Sequence, residues 1–227
     1  MRSSSMRRRE ALGIITLSCV GGVAMVQTKV GNLLGAAGDV KAAVKGLNPE
    51  TVKDLQAAYN GESNAFARYT AFARKASEEG YQSVAALFWA AAVSETVHAK
   101  RFAAVLQSGG VEAKATLEKP VVGTTAENLA VAIAGEKAEA TDIYPKAAAA
   151  ATKAGDTAAA KAFTDALAAE AKHAQFYSEA AANLLVWKES GKSFEVCLTC
   201  GYTVASTDGV KRCPLCGVAR DKFEKFK

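Results

Sequence analysis

From Pro49 to Lys188 apolar residues recur at helical spacing, with few breakers between them. The interruptions fall at Gly80, at Ser108-Gly109-Gly110 through Thr124, and at Gly155. They predict four helices over residues 49–79, 82–107, 125–153 and 157–188. Asn48-Pro49-Glu50 supplies a cap followed by proline at the first helical position, and Thr124-Thr125-Ala126-Glu127 reads as a capping box. Beyond Lys188 the pattern changes. Glu189-Ser190-Gly191-Lys192-Ser193 is a short polar linker, and the tail is rich in Cys, Gly and β-formers, so a second module begins near Phe194.

The only long connection among the four helices, about 109–124, lies at their midpoint. A bundle with one long central crossover is the ferritin-like arrangement, so the expected fold class is mainly α with a small C-terminal β module.

Ionisable residues interrupt the apolar stripes. Steps of three and four from Glu62 meet Leu55, Ala58, Tyr59, Ala65, Phe66 and Tyr69; from Glu95 they meet Phe88, Ala91, Ala92, His98, Ala99, Phe102 and Leu106. The third helix places Leu129, Ile133, Glu136, Glu139 and Ile143 on one face, and the fourth Phe163, Leu167, Glu170, His173 and Tyr177. The order is also repeated: Glu62 precedes Glu95-x-x-His98 by 33 residues, and Glu136 precedes Glu170-x-x-His173 by 34. Two hairpins with the same residues in the same order imply a pseudo-twofold bundle with a half-site from each.

Seven ionisable groups on inward faces need compensation, because an unpaired buried carboxylate costs several kcal/mol or takes up a proton. Two metal ions supply that charge. Six of the seven obey the di-iron carboxylate rule, a Glu from each of two helices and Glu-x-x-His from each of the others. The i, i+3 spacing puts carboxylate and imidazole on one face. The chain has only two histidines, and both stand in that motif. Tyr69 and Tyr144, two turns from Glu62 and Glu136, are either core tyrosines or hydrogen-bond donors to the carboxylates.

Composition fits this picture, since half the residues are hydrophobic but only 7% aromatic, which suits closely packed helices. Of the formal charge of +5, the first 38 residues carry +4 through Arg2, Arg7, Arg8, Arg9 and Lys29 against Glu10. The remainder has no basic patch interleaved with aromatics, which argues against a nucleic-acid partner. That leader has a basic start, an apolar run from Ala11 to Val26, and small residues at Gly35-Ala36-Ala37-Gly38. Arg8-Arg9 resembles a twin-arginine motif, giving an expectation of export to the periplasm, with a membrane anchor or a cytoplasmic location as alternatives. The domains expected are a leader over 1–38, a bundle over 39–190 and a metal module over 194–227.

Cys197-Leu198-Thr199-Cys200 and Cys213-Pro214-Leu215-Cys216 form two Cys-x-x-Cys knuckles twelve residues apart. Four thiolates from two tight turns build an all-sulfur tetrahedral site that takes iron or zinc.

Taken together, Gly61-Glu62-Ser63 with Arg68-Tyr69, Glu95-x-x-His98, Ala134-Gly135-Glu136-x-x-Glu139 with Tyr144-Pro145, Glu170-x-x-His173 and the knuckled tail resemble the rubrerythrins over about four fifths of the chain. The resemblance implies a non-haem di-iron peroxidase that reduces hydrogen peroxide to water. It makes Glu62, Glu95, Glu136, Glu170 and His173 steady iron ligands, and lets His98 and Glu139 alternate as ligands when the oxidation state changes. It implies that Cys197, Cys200, Cys213 and Cys216 hold a single redox iron, with zinc the alternative, fed by a reductase or a rubredoxin-like carrier. It also implies a homodimer in which each cysteine module serves the partner's bundle. A ferroxidase or iron-handling role, and a non-enzymatic zinc-ribbon interaction protein, are the rival readings.

Overall fold

The computed structural model describes residues 46–227. The leader and its twin-arginine-like motif therefore lie outside the described residues. Helix α1 (Pro49–Glu78) begins where the Asn48 side chain accepts the Glu50 N–H, with Pro49 at the first helical position. It pairs with α2 (Gln82–Ser108) through a short turn at Gly80, whose φ of 82° suits glycine. The second hairpin opens at α3 (Thr125–Ala138), capped reciprocally by Thr124 and Glu127.

The expected single third helix is divided. After α3 the chain widens into a π-helical segment (Glu139–Ile143) before α4 (Tyr144–Ala154). Pro145 accounts for it: proline has no N–H, and its ring collides with the carbonyl four residues back, so the preceding turn opens. Gly155, at φ 79°, ends α4. Helix α5 (Thr157–Ala182) is shorter than expected, because Asn183 leaves helical geometry at φ −131° and a separate short helix α6 (Leu184–Glu189) follows.

The crossover is extended and tied to α1 by amides at 56, 60 and 64. Asn60 and Asn64 accept the backbone N–H groups of Thr116 and Glu118, each at 2.8 Å, and Gln56 accepts that of Lys114 at 3.3 Å. The pitches match: four helical residues rise about 6 Å, and two extended residues about 6.7 Å.

The core divides into two apolar clusters, with the Glu and His residues of α1, α2, α3 and α5 between them. One contains Tyr69, Phe72, Phe88, Leu129 and Tyr177, the other Leu55, Phe102, Leu106, Tyr144 and Phe163. A polar layer between two close-packed caps is shielded from water at both ends. Two residues of the expected inward stripes do not face in: Phe66 and Ile143 are about half exposed. At i+3 from Glu62, Ala65 takes the buried position, and Ile143 lies in the π-helical segment, which shifts the register of that face.

The tail forms a three-stranded antiparallel sheet, β1 (Phe194–Cys197) between β2 (Thr203–Ala205) and β3 (Phe223–Phe226). It packs on the bundle of its own chain, chiefly on α2. Phe194 stacks on Trp187 at 6.0 Å and meets Phe176 edge-on at 5.2 Å. Within the single chain the module sits on its own bundle, while the expected service to a partner's bundle concerns an assembly of two chains.

Candidate metal centres

Six of the seven residues singled out in the bundle converge in the polar layer. Glu62, Glu95, His98, Glu136, Glu170 and His173 are each at most 1% exposed. They form two four-donor nests, Glu62, Glu95, His98 and Glu170 in one, and Glu95, Glu136, Glu170 and His173 in the other. Within each nest the donor atoms lie within 4.8 Å of one another. Glu95 and Glu170 belong to both, as two bridging carboxylates would, so the sequence repeat becomes a pseudo-twofold pair. Nδ1 of His98 lies 2.9 Å from Glu170 and 3.0 Å from Glu95, while Nδ1 of His173 lies 2.9 Å from Glu170.

Glu139 stands apart. It opens the π-helical segment, belongs to neither nest, and is only partly buried. With Gly61, Ile143 and Tyr144 it lines a surface cavity of about 430 Å³ between α1 and α4. His98 thus belongs to a nest and Glu139 to neither.

The tyrosines act across the bundle rather than along their own helices. The Tyr144 hydroxyl donates to Glu62 Oε1, and Glu136 is the strongest charge acting on Tyr69. Tyr177 is buried against both nests with its hydroxyl lacking a partner. The sequence placed it on an inward stripe without giving it a role.

The electrostatics show why the layer calls for cations. Burial, then repulsion from Glu95 and Glu170, pushes Glu62 well above the carboxylate range; burial and Glu170 do the same to Glu95, and burial and Glu136 to Glu139. Burial alone would lower His98, but Glu170 and Glu62 hold it up at about 9. Both carboxylate oxygens of Glu136, with Glu62 Oε2 and Glu95 Oε1, are buried without a hydrogen-bond partner. Orphaned oxygens and paired imidazoles fit two divalent or trivalent ions, with an O-rich donor set that suits iron.

In the tail, Cys197 and Cys216 are 3.6 Å apart and Cys200 and Cys213 3.5 Å, with all four sulfurs within 4.8 Å. A disulfide needs about 2 Å. The edge of a tetrahedron with metal–sulfur bonds of about 2.3 Å is about 3.8 Å, which fits. Hydrogen bonding from Cys200 and from the knuckle amides, against burial, draws the Cys197 thiol down to about 5, so one thiolate is ready for a metal.

Comparison with known proteins agrees with this arrangement. Residues 53–181 match the rubrerythrin family model, and residues 196–224 that of the rubrerythrin rubredoxin-like domain. A rubrerythrin from Porphyromonas gingivalis is 38% identical over 83% of this chain and 95% of its own length. The chain belongs to the rubrerythrin family. Nigerythrin from Nitratidesulfovibrio vulgaris is 36% identical over 78% of this chain and 86% of its own. The structure of nigerythrin in its fully reduced, all-ferrous state superposes with a TM-score of 0.72 at 33% identity, over 84% of this chain and 91% of that one. A bacterioferritin from Mycobacterium tuberculosis, 14% identical over 64% of this chain and 95% of its own, shares the bundle fold at a TM-score of 0.58. As a family member the chain is an oxidoreductase with a peroxidase-type role in oxidative stress, carrying a di-iron carboxylate site and a rubredoxin-like four-cysteine site.

Proposed function

We propose that the chain reduces hydrogen peroxide to water, H2O2 + 2 e⁻ + 2 H⁺ → 2 H2O, in the polar layer of the bundle. Glu62, Glu95, His98, Glu136, Glu170 and His173 hold the two irons, with Glu139 the further ligand of the oxidised state. When bound, the irons supply Lewis acidity and the two electrons. Glu139 lines the cavity beside the nests, where desolvation and the Glu136 charge push its pKa up and favour uptake of a proton. Tyr144 fixes the Glu62 carboxylate, and the apolar clusters exclude water from both ends. Cys197, Cys200, Cys213 and Cys216 hold the iron that returns electrons, received from a reductase or a rubredoxin-like carrier outside the chain.

The observation that carries this reading is the direct seating of the four-cysteine module over the site histidines. A ferroxidase has no use for an electron relay there, and a zinc-ribbon interaction protein has no use for two nests of buried carboxylates. The test is to mix the anaerobically reduced, iron-loaded chain with hydrogen peroxide or with dissolved oxygen. Faster oxidation by peroxide is expected; oxidation by oxygen that outruns peroxide would establish the ferroxidase instead. For the leader, export to the periplasm is proposed from Arg8-Arg9, and cell fractionation of the full chain tests it, with a cytoplasmic product overturning it.

A further inference from the structure

The outer nitrogens of the two site histidines converge on one backbone carbonyl of the cysteine module, although the histidines lie on different helices. His173 Nε2 is 2.9 Å from the Thr203 hydroxyl, and His98 Nε2 is 3.5 Å from the Ser94 hydroxyl. Ser94 donates to the Gly201 carbonyl at 2.6 Å, and Thr203 donates to the same oxygen at 3.4 Å. Gly201 directly follows Cys200. It approaches so closely that a Cβ there would lie 2.2 Å from His98 Nε2, and its φ of +86° also suits glycine.

The tautomers follow from the surroundings. With a metal in each nest, Nδ1 of each ring, which points among the carboxylate donors, gives its lone pair to the ion, and the proton that remains is on Nε2. Each hydroxyl can then accept from an imidazole N–H and donate to Gly201, using its one proton once. Valine would fill the place of Thr203 but leave the buried His173 N–H without an acceptor. Packing alone does not account for a hydroxyl at both positions.

We propose that Ser94 and Thr203 are positioning residues that fix the Nε2–H tautomer of both histidines and couple both half-sites to Cys200 through the Gly201 carbonyl. This rests on the reading that electrons pass between the two centres. The relay carries one electron at a time from the four-cysteine centre to the bundle; no bond breaks, and both hydroxyl protons stay on their oxygens.

The experiment uses the whole chain as Thr203→Val, Thr203→Ser and Ser94→Ala. With only two histidines, ¹⁵N-histidine labelling of the zinc-loaded protein shows just two imidazoles by NMR. The His173 Nε2–H resonance should move upfield in T203V and return in T203S, and S94A should move that of His98. In the reduced, iron-loaded chain, oxidation of the four-cysteine iron after mixing with peroxide should slow about tenfold in T203V and recover in T203S. Unchanged imidazole resonances with an unchanged rate in T203V and S94A would overturn the inference, as would a T203S chain that behaves like T203V. Failure of the underlying reading shows differently: the four-cysteine iron of the unaltered chain would not be oxidised at all, while the resonances still decide the hydrogen bonds.

Discussion

Removing the metals should leave a bundle whose stability falls as pH rises, and His98 gives the size of the effect. Its pKa of about 9 in the folded chain stands above the ordinary value of 6.5. Between those values the folded state holds a proton that the unfolded state has lost, so the stabilisation is complete below about 6.5 and gone above about 9. The raised carboxylates Glu62 and Glu95 act in the same direction, beginning at lower pH. At about 1.4 kcal/mol per unit, His98 accounts for on the order of 3 kcal/mol. In a chain of this size that is about 6–12 °C in melting temperature. The assay is thermal unfolding of the metal-free chain by far-ultraviolet circular dichroism from pH 6 to 9, beside His98→Gln. The thiols are common to both proteins and cancel in the difference. The unaltered chain should lose its advantage over His98→Gln across this window, and curves that stay parallel would refute the reasoning. The same protons must leave when metal binds, so loading should release protons and tighten with pH up to about 9.

Two further substitutions probe the contacts that hold the centres. Tyr144→Phe removes the donor to Glu62 and should weaken metal binding in the bundle by about 10- to 100-fold in a chelator competition; unchanged affinity would show that the hydroxyl does not orient the carboxylate. Gly201→Ala forces a Cβ against His98 and Ser94 in a left-handed backbone position that costs about 1–2 kcal/mol by itself. The module should detach, read as faster proteolysis at the 189–193 linker, and unchanged cleavage would contradict the close seating.

Local signals carried much of this architecture. The cysteine knuckles and the repeated Glu, Glu-x-x-His order are short-range patterns, and each names its chemistry without any knowledge of packing. What depends on the meeting of distant segments was not legible. Tyr69 and Tyr144 were legible as core residues or donors to the carboxylates, but which carboxylate each meets depends on helix crossing, which turns Tyr144 to Glu62 and Tyr69 to Glu136. Pro145 was visible, but the π-helical turn it opens, with the outward shift of Ile143 and the place of Glu139 outside both nests, follows from how the widened turn packs. Ser94 and Thr203 carry no motif at all. Their roles arise only when β2 meets α2 and α5, and the glycine after Cys200 was the one hint of a close approach.

The most direct test of the account is to titrate the anaerobically reduced, iron-loaded chain with hydrogen peroxide while following metal content and visible absorption. About three irons per chain are expected, with consumption of about one and a half equivalents of peroxide and return of the red thiolate-to-iron absorption. Zinc at the cysteines with no iron in the bundle, or a bundle that oxidises while the cysteine iron stays reduced, would contradict it.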